Sequence, residues 1–253
     1  MCLILISHRA HPEFPLVVGA NRDEFYGRPT APADFWHDAP QVLAGRDLQA
    51  AGTWLGITRD LRFAAVTNFR DPQGLQPGAR SRGELTSAFL RGAVPAPRYL
   101  EDVQRRARDY SGFNLFVADA TGLYYFSNRD GEIRTLAPGA YGLSNHLLDT
   151  PWPKVTELKP RFSAAIGAPL DPDAIRRILA DRGIAPDDAL PDTGVGLERE
   201  RMLSAAFVLS DTYGTRSTTV LSVRADREVR FNEWSFGPLG VGLGEREFVF
   251  RSD

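Results

Sequence analysis

Short apolar runs bounded by Pro and Gly mark both ends of the chain, while helical spacing falls in two pairs of segments between them. Residues 2–6 (CLILI) and 16–20 (LVVGA) are β-rich and flank a polar link with two prolines at 11–15 (HPEFP). They predict two strands joined by a hairpin-like connection. Residues 54–58 and 62–68 repeat the pattern around a short turn, and 113–118, 123–127 and 132–136 predict a meander punctuated by Gly122 and Gly131. Helical periodicity places Leu85, Phe89 and Leu90 on one face of 83–91, and Leu100, Val103 and Ala107 on one face of 98–110. A second helical pair is predicted at 151–166 and 172–182, the latter with Asp171 as N-cap and Pro172 at the first helical position. Residues 27–46 and 183–200 read as loops, and three strands close the chain at 217–224, 229–233 and 245–250, around a Gly-rich segment at 237–244. Hairpins grouped with helix pairs, in place of strict βαβ alternation, predict an α+β protein with sheets layered between helices. No repeat, low-complexity tract or linker interrupts residues 1–253, so one domain is expected.

Composition narrows the partners. The 30 basic and 32 acidic residues nearly cancel, so no global field draws the protein to nucleic acid or anionic lipid, and a small-molecule ligand fits better. All cations but Lys154 and Lys159 are Arg, a bias that suits planar anion recognition and equally follows from genomic base composition. One cysteine excludes an intramolecular disulfide, and the first apolar run is far too short for a leader or a membrane span; the cytoplasm is the expected compartment. His8, His11, His37 and His146 show no metal-binding spacing, and one thiol cannot build a cage, so no metal is expected. The glycines at 237, 240, 242 and 244 miss the dinucleotide fingerprint.

Asn21-Arg22-Asp23-Glu24 sets a guanidinium beside two carboxylates directly behind a strand, either as a salt-bridged turn or as a site wall. Within the strings MCLILI, VVGANRDEFYGRP, GTWLGI, TNFR, SRGEL, YGLSNHLLDTPWPKV and YGTRSTTVLSV, spread over residues 1–224, the chain resembles the NRDE family, also called the transport and Golgi organisation protein 2 family. Ala51 stands where that family has Gly, and His146 where it more often has a small residue. The resemblance implies an N-terminal-nucleophile hydrolase fold, a four-layer αββα sandwich of two mainly antiparallel sheets between helix pairs, in which Cys2 becomes the first residue once Met1 is removed. A cysteine there carries its own base, an α-amino group of pKa about 7.7–8.0 beside a thiol of about 8.5. An activated thiol should then label at a rate that titrates below about pH 8.

By likeness to cysteine amidases of that fold, Asp23 holds the α-amino group, Arg22 favours the thiolate or a substrate carboxylate, Asn145 donates to an oxyanion, and Arg216 is a second cation. Asn21, Glu24 and His146 would border the substrate, and Asn68 is a candidate second oxyanion donor. The bland alternatives stay open: Cys2 as a small core residue, Asn145 as a turn former, Arg216 as an ion-pair member, Asn68 as an ordinary strand end. Two functions follow. One is hydrolysis of a small or lipid-like amide with no cofactor required. The other is carriage, since the family is implicated in haem trafficking and lipid homeostasis; for haem, His146 and Cys2 are the candidate axial ligands, with Met202 behind them and no Cys-Pro or CxxCH signature.

Overall fold

The computed structural model describes residues 2–74, 79–167 and 169–252. The chain runs through β1 (Cys2–His8), β2 (Leu16–Phe25), β3 (Thr30–Trp36), β4 (Ala39–Asp47), β5 (Leu55–Thr58) and β6 (Phe63–Asn68), then helices α1 (Gly83–Arg91) and α2 (Ala96–Arg105). Four strands follow, β7 (Phe113–Asp119), β8 (Gly122–Ser127), β9 (Ile133–Thr135) and β10 (Gly139–Leu143), then α3 (Pro153–Ala164), α4 (Pro172–Leu179) and α5 (Leu197–Ser204). Strands β11 (Tyr213–Val223), β12 (Glu228–Phe236) and β13 (Gly242–Arg251) end it. Among the described residues, two antiparallel sheets and five α-helices make this an α+β protein, as the grouping of hairpins and helix pairs predicts.

The chain forms two compact units. The first takes residues up to 27 and 138–250, and its six strands are ordered β10-β1-β2-β11-β12-β13. Strand alternation sends Leu3, Leu5 and Val17 to one face, where Val155, Leu158 and Phe162 of α3 and Ile175, Ile178 and Leu179 of α4 close over them together with Trp152 and Val220. Each such side chain fully removed from water contributes about 1.5–3 kcal/mol. The expected cap of α4 is present: Asp171 accepts from the Asp173 backbone N–H at 2.9 Å. The second unit, residues 28–137 with the last residues of the chain, is a seven-stranded meander from β3 to β9 in chain order. Val42, Ala64, Val66, Leu115, Val117 and Phe126 meet Leu85, Phe89 and Leu90 of α1 and Tyr99, Leu100 and Val103 of α2.

Several boundaries depart from the sequence pattern, each for a physical reason. Strand β2 does not end at residue 20 but continues through Phe25, so Asn21–Glu24 is strand and not turn; Cys2 and Leu3 pair it on one side and Gly214–Thr218 on the other. Residues 27–46 form two strands rather than a loop. Pro32 lies within β3 and Pro40 within β4, and their pairing register shifts twice, as befits an edge hairpin that tolerates proline. Residues 183–200 include the start of α5, which a Gly196 with φ of 86° opens. Among the described residues, no helix is long and apolar enough to cross a membrane.

Candidate active site

The first unit gathers Cys2, Arg22, Asp23, Glu24, Asn145 and Arg216 at one end of its central strands. Cys2 begins β1 and is the register partner of Arg22. Because Leu3 and Asn21 face the helices, alternation turns Cys2, Arg22 and Glu24 to the opposite face, where Arg22 Nη2 lies 3.9 Å from Glu24 Oε2. Pairing of β1 with β10 stops at Ile4–Leu143, and the two residues beyond it reach Cys2. The Cys2 backbone N–H donates to Asn145 Oδ1 at 3.3 Å, and Ser144 Oγ donates to the Cys2 carbonyl at 3.2 Å. Asn145 is wholly buried. It therefore offers Cys2 its carbonyl oxygen, where the family likeness implied an NH2 for an oxyanion.

Arg216 sits where the register of β11 against β2 shifts between Thr215 and Ser217. Its Nη1 donates to the Phe25 carbonyl at 3.2 Å. Burial and the neighbouring Arg22 cation lower its pKa, with Glu24 and Tyr26 opposing, so two guanidiniums and one carboxylate share this corner. Asp23 accepts from Thr215 Oγ1 at 2.7 Å, and Thr215 Oγ1 in turn accepts from the Val208 N–H at 2.9 Å. Tyr26 packs its hydroxyl so close to Gly214 that a Cβ there would come within 2.4 Å of it, which only glycine allows. Burial raises the Tyr26 phenol, Asp23 adds to the rise and Arg216 opposes it. Thr215, Ser144 and Tyr26 escaped the sequence reading; their adjacency to Arg216, Asn145 and Asp23 within YGTRS, SNH and NRDEFY was the available signal.

Burial pushes the Cys2 thiol above its ordinary value; the Asp23 carboxylate adds to this, while Arg22 and the Asp23 backbone N–H pull it down. With Met1 lying outside the described residues, this is not the lowered thiol expected from an activated nucleophile.

Other expected site residues take different places. Asn21 is 1% exposed; its amide donates to the carbonyls of Leu179 and Ala206, each at 2.8 Å, and accepts from Thr218 Oγ1 at 2.7 Å. It is a clamp on the helix side of β2, not a substrate contact. Asn68 ends β6 in the second unit, opposite Phe113. His146 follows Asn145, packs at a tilt against Trp152 with 5.9 Å between ring centroids, and meets Thr150 Oγ1 at 2.9 Å through Nδ1. Thr150 Oγ1 donates to the Leu147 carbonyl at 2.8 Å, so it accepts from His146, which fixes the proton of the neutral ring on Nδ1. Burial lowers the His146 pKa. Long-range nitrogen–proton NMR should show this Nδ1–H tautomer. Because the unfolded chain takes up this proton first, His146 should add stability above about pH 6.5 that is lost as pH falls, and His146→Gln should flatten that acid limb. A wild-type Nε2–H tautomer would refute the assignment. Among the described residues, no three His, Cys, Asp or Glu side chains are grouped to hold a metal.

Comparison with known proteins agrees with these motifs. The Transport and Golgi organization protein 2 homolog of Homo sapiens is 40% identical, with 93% of each chain covered, and that of Bos taurus is 39% identical over the same shares. The Drosophila melanogaster Transport and Golgi organization protein 2 is 27% identical over 92% of this chain and 91% of its own. Two solved structures are similar more remotely. The Caenorhabditis elegans N-acylethanolamine-hydrolyzing acid amidase ortholog has a TM-score of 0.41 and 12% identity, covering 87% of this chain and 92% of that one. The C2A mutant of the conjugated bile acid hydrolase from Clostridium perfringens has a TM-score of 0.35 and 10% identity, covering 100% and 97%. With the Transport and Golgi organisation 2 family matched over residues 1–238, and close relatives covering nearly all of their own length, the chain belongs to that family.

Proposed function

We propose that this chain is an N-terminal-nucleophile cysteine amidohydrolase acting on a small or lipid-like amide that carries an anionic group. The observation that supports it is the seat of the Cys2 nitrogen: a neutral acceptor, Asn145 Oδ1, lies 3.3 Å away. Removal of Met1 would make that nitrogen an amine. A free amine there is a base whose pKa of about 7.7–8.0 matches proton transfer from a thiol at neutral pH. In the reaction the thiol proton passes to the amine as sulfur attacks the amide carbon. The amine then protonates the leaving nitrogen as the C–N bond breaks, leaving a thioester. Water attacks the thioester, its proton goes to the amine and on to sulfur, and the acid departs. Asn145 holds the amine, and Arg22 and Arg216 set two guanidiniums, whose donors suit a substrate carboxylate, at the corner they share with Glu24. Haem carriage rests on no comparable observation.

The test separates the two forms of the amino terminus. Intact mass should find purified protein lacking Met1. Iodoacetamide labelling of that form should titrate below about pH 8, and labelling of a chain that keeps Met1 above about pH 8.5, because burial then dominates. Incubation with N-acyl amino acids should leave an acyl adduct on Cys2 of the processed form alone. Retained Met1 in native protein, or identical labelling profiles, would sink the proposal.

A further inference from the structure

The two residues that bond the Cys2 backbone stand on a loop with no regular structure of its own. Ser144 and Asn145 lie just past β10, and residues 144–150 bend away from the sheet before α3 begins at Pro153. Asn145 Oδ1 must nevertheless meet the Cys2 nitrogen in one place, because a catalytic group displaced by about 1 Å loses on the order of 10²-fold in rate. Something outside the loop has to fix it.

Asp149 clips the loop at its base. Strand β10 is the outermost of its sheet, and Asp149 stands in for a strand beyond it: Oδ1 accepts from the Gly142 N–H at 2.8 Å, and the Asp149 N–H donates to the Gly142 carbonyl at 2.8 Å. Lys159 Nζ of α3 donates to the same Oδ1 at 2.9 Å, which ties the clip to the helix. Gly142 lets that helix approach, since a Cβ on it would meet Val155 Cγ1 at 2.6 Å. Asp149 holds this place at a φ of 57°, in the left-handed region that residues other than Gly, Asn and Asp seldom enter. Glycine would fit that backbone with less strain, but it has no acceptor for Gly142 and Lys159. We propose that Asp149 is a positioning residue of the candidate site, which through Gly142 and Lys159 fixes the loop that sets Asn145 Oδ1 on the Cys2 nitrogen. Its effect on turnover rests on the proposed hydrolysis, whereas its hold on Cys2 does not.

Three substitutions test it. Asp149→Gly keeps the backbone conformation and removes the clip, while Asp149→Asn and Lys159→Met keep an acceptor for Gly142 and break only the ion pair. In protein that retains Met1, hydrogen exchange of the Cys2 amide, followed by NMR, should quicken about ten-fold in Asp149→Gly and about three-fold in the other two. In processed protein turning over N-acyl amino acids, Asp149→Gly should lower kcat about thirty-fold at unchanged KM, and Asp149→Asn should recover it to within about three-fold of wild type. Beside Asn145→Ala, Asp149→Gly should cost nothing further, because both act through one contact. A wild type that hydrolyses nothing would remove the hydrolase reading and leave the exchange measurement to decide the clip. Cys2 exchange unmoved by Asp149→Gly, or a loss of kcat as large beside Asn145→Ala as in its absence, would overturn the proposal. If Asp149→Gly does not fold, Lys159→Met decides, and a Cys2 amide exchanging as in wild type refutes the clip.

Discussion

Asn21→Leu is expected to cost about 3–5 kcal/mol of stability, a large share of what a protein of this kind possesses. The substituted side chain would leave the carbonyls of Leu179 and Ala206 and the hydroxyl of Thr218 facing hydrocarbon, each buried group losing its partner. The clamp joins the end of α4 and the segment before β11 to the middle of the sheet, so its loss loosens three elements together. In urea the midpoint should fall sharply with an unchanged slope. A near-wild-type midpoint accompanied by lost ligand binding would return Asn21 to the site and refute the clamp.

Cys2→Ala is expected to remove amide hydrolysis by roughly 10⁴-fold or more while leaving the thermal midpoint almost unmoved. The two effects separate because the side chain begins a strand at the sheet's end and its neighbours hold it chiefly by its backbone, through Asn145 and Ser144, with the Asp23 backbone N–H reaching its sulfur. Rates measured on N-acyl amino acids, alongside thermal melts, check both halves. Equal turnover by wild type and Cys2→Ala would remove the thiol from the reaction, and a collapse in stability would make Cys2 a packing residue.

What could be read in the residues was the part that repeats. Leu3, Leu5 and Val17, or Leu85 and Phe89, announce a strand or a helix because apolar spacing follows the burial it produces. Asn21 to Glu24 break that rule: they stay in β2 although polar, since two partner strands and the threonines of β11 satisfy them. Periodicity is blind to buried polar groups. The partners of Asn21 are backbone carbonyls 158 and 185 residues away, and a carbonyl leaves no trace in residue identity. The hairpin of β3 and β4 was hidden by its prolines, which read as loop signals until an edge strand is known to lie there. Cys2, Arg22, Asp23, Asn145 and Arg216 were legible as a group only through whole motifs, whereas their division between the two faces of one sheet needed the pairing register.

The irregularity in β11 sets how this site could change over evolutionary time. One extra residue between Thr215 and Ser217 places Thr215 and Thr218, three positions apart, on the same side to serve Asp23 and Asn21. Deleting the extra residue, Arg216, would restore ideal alternation with Thr215 and Thr218 still on one side, but would remove the guanidinium from the site. A deletion at 213 or 214 that the bulge absorbed would instead turn Thr215 away from Asp23 to the other face, a change no single substitution makes. Homologous chains should therefore vary in length in the loops between elements and hold the spacing from Tyr213 to Thr218 constant, even where the residues themselves drift.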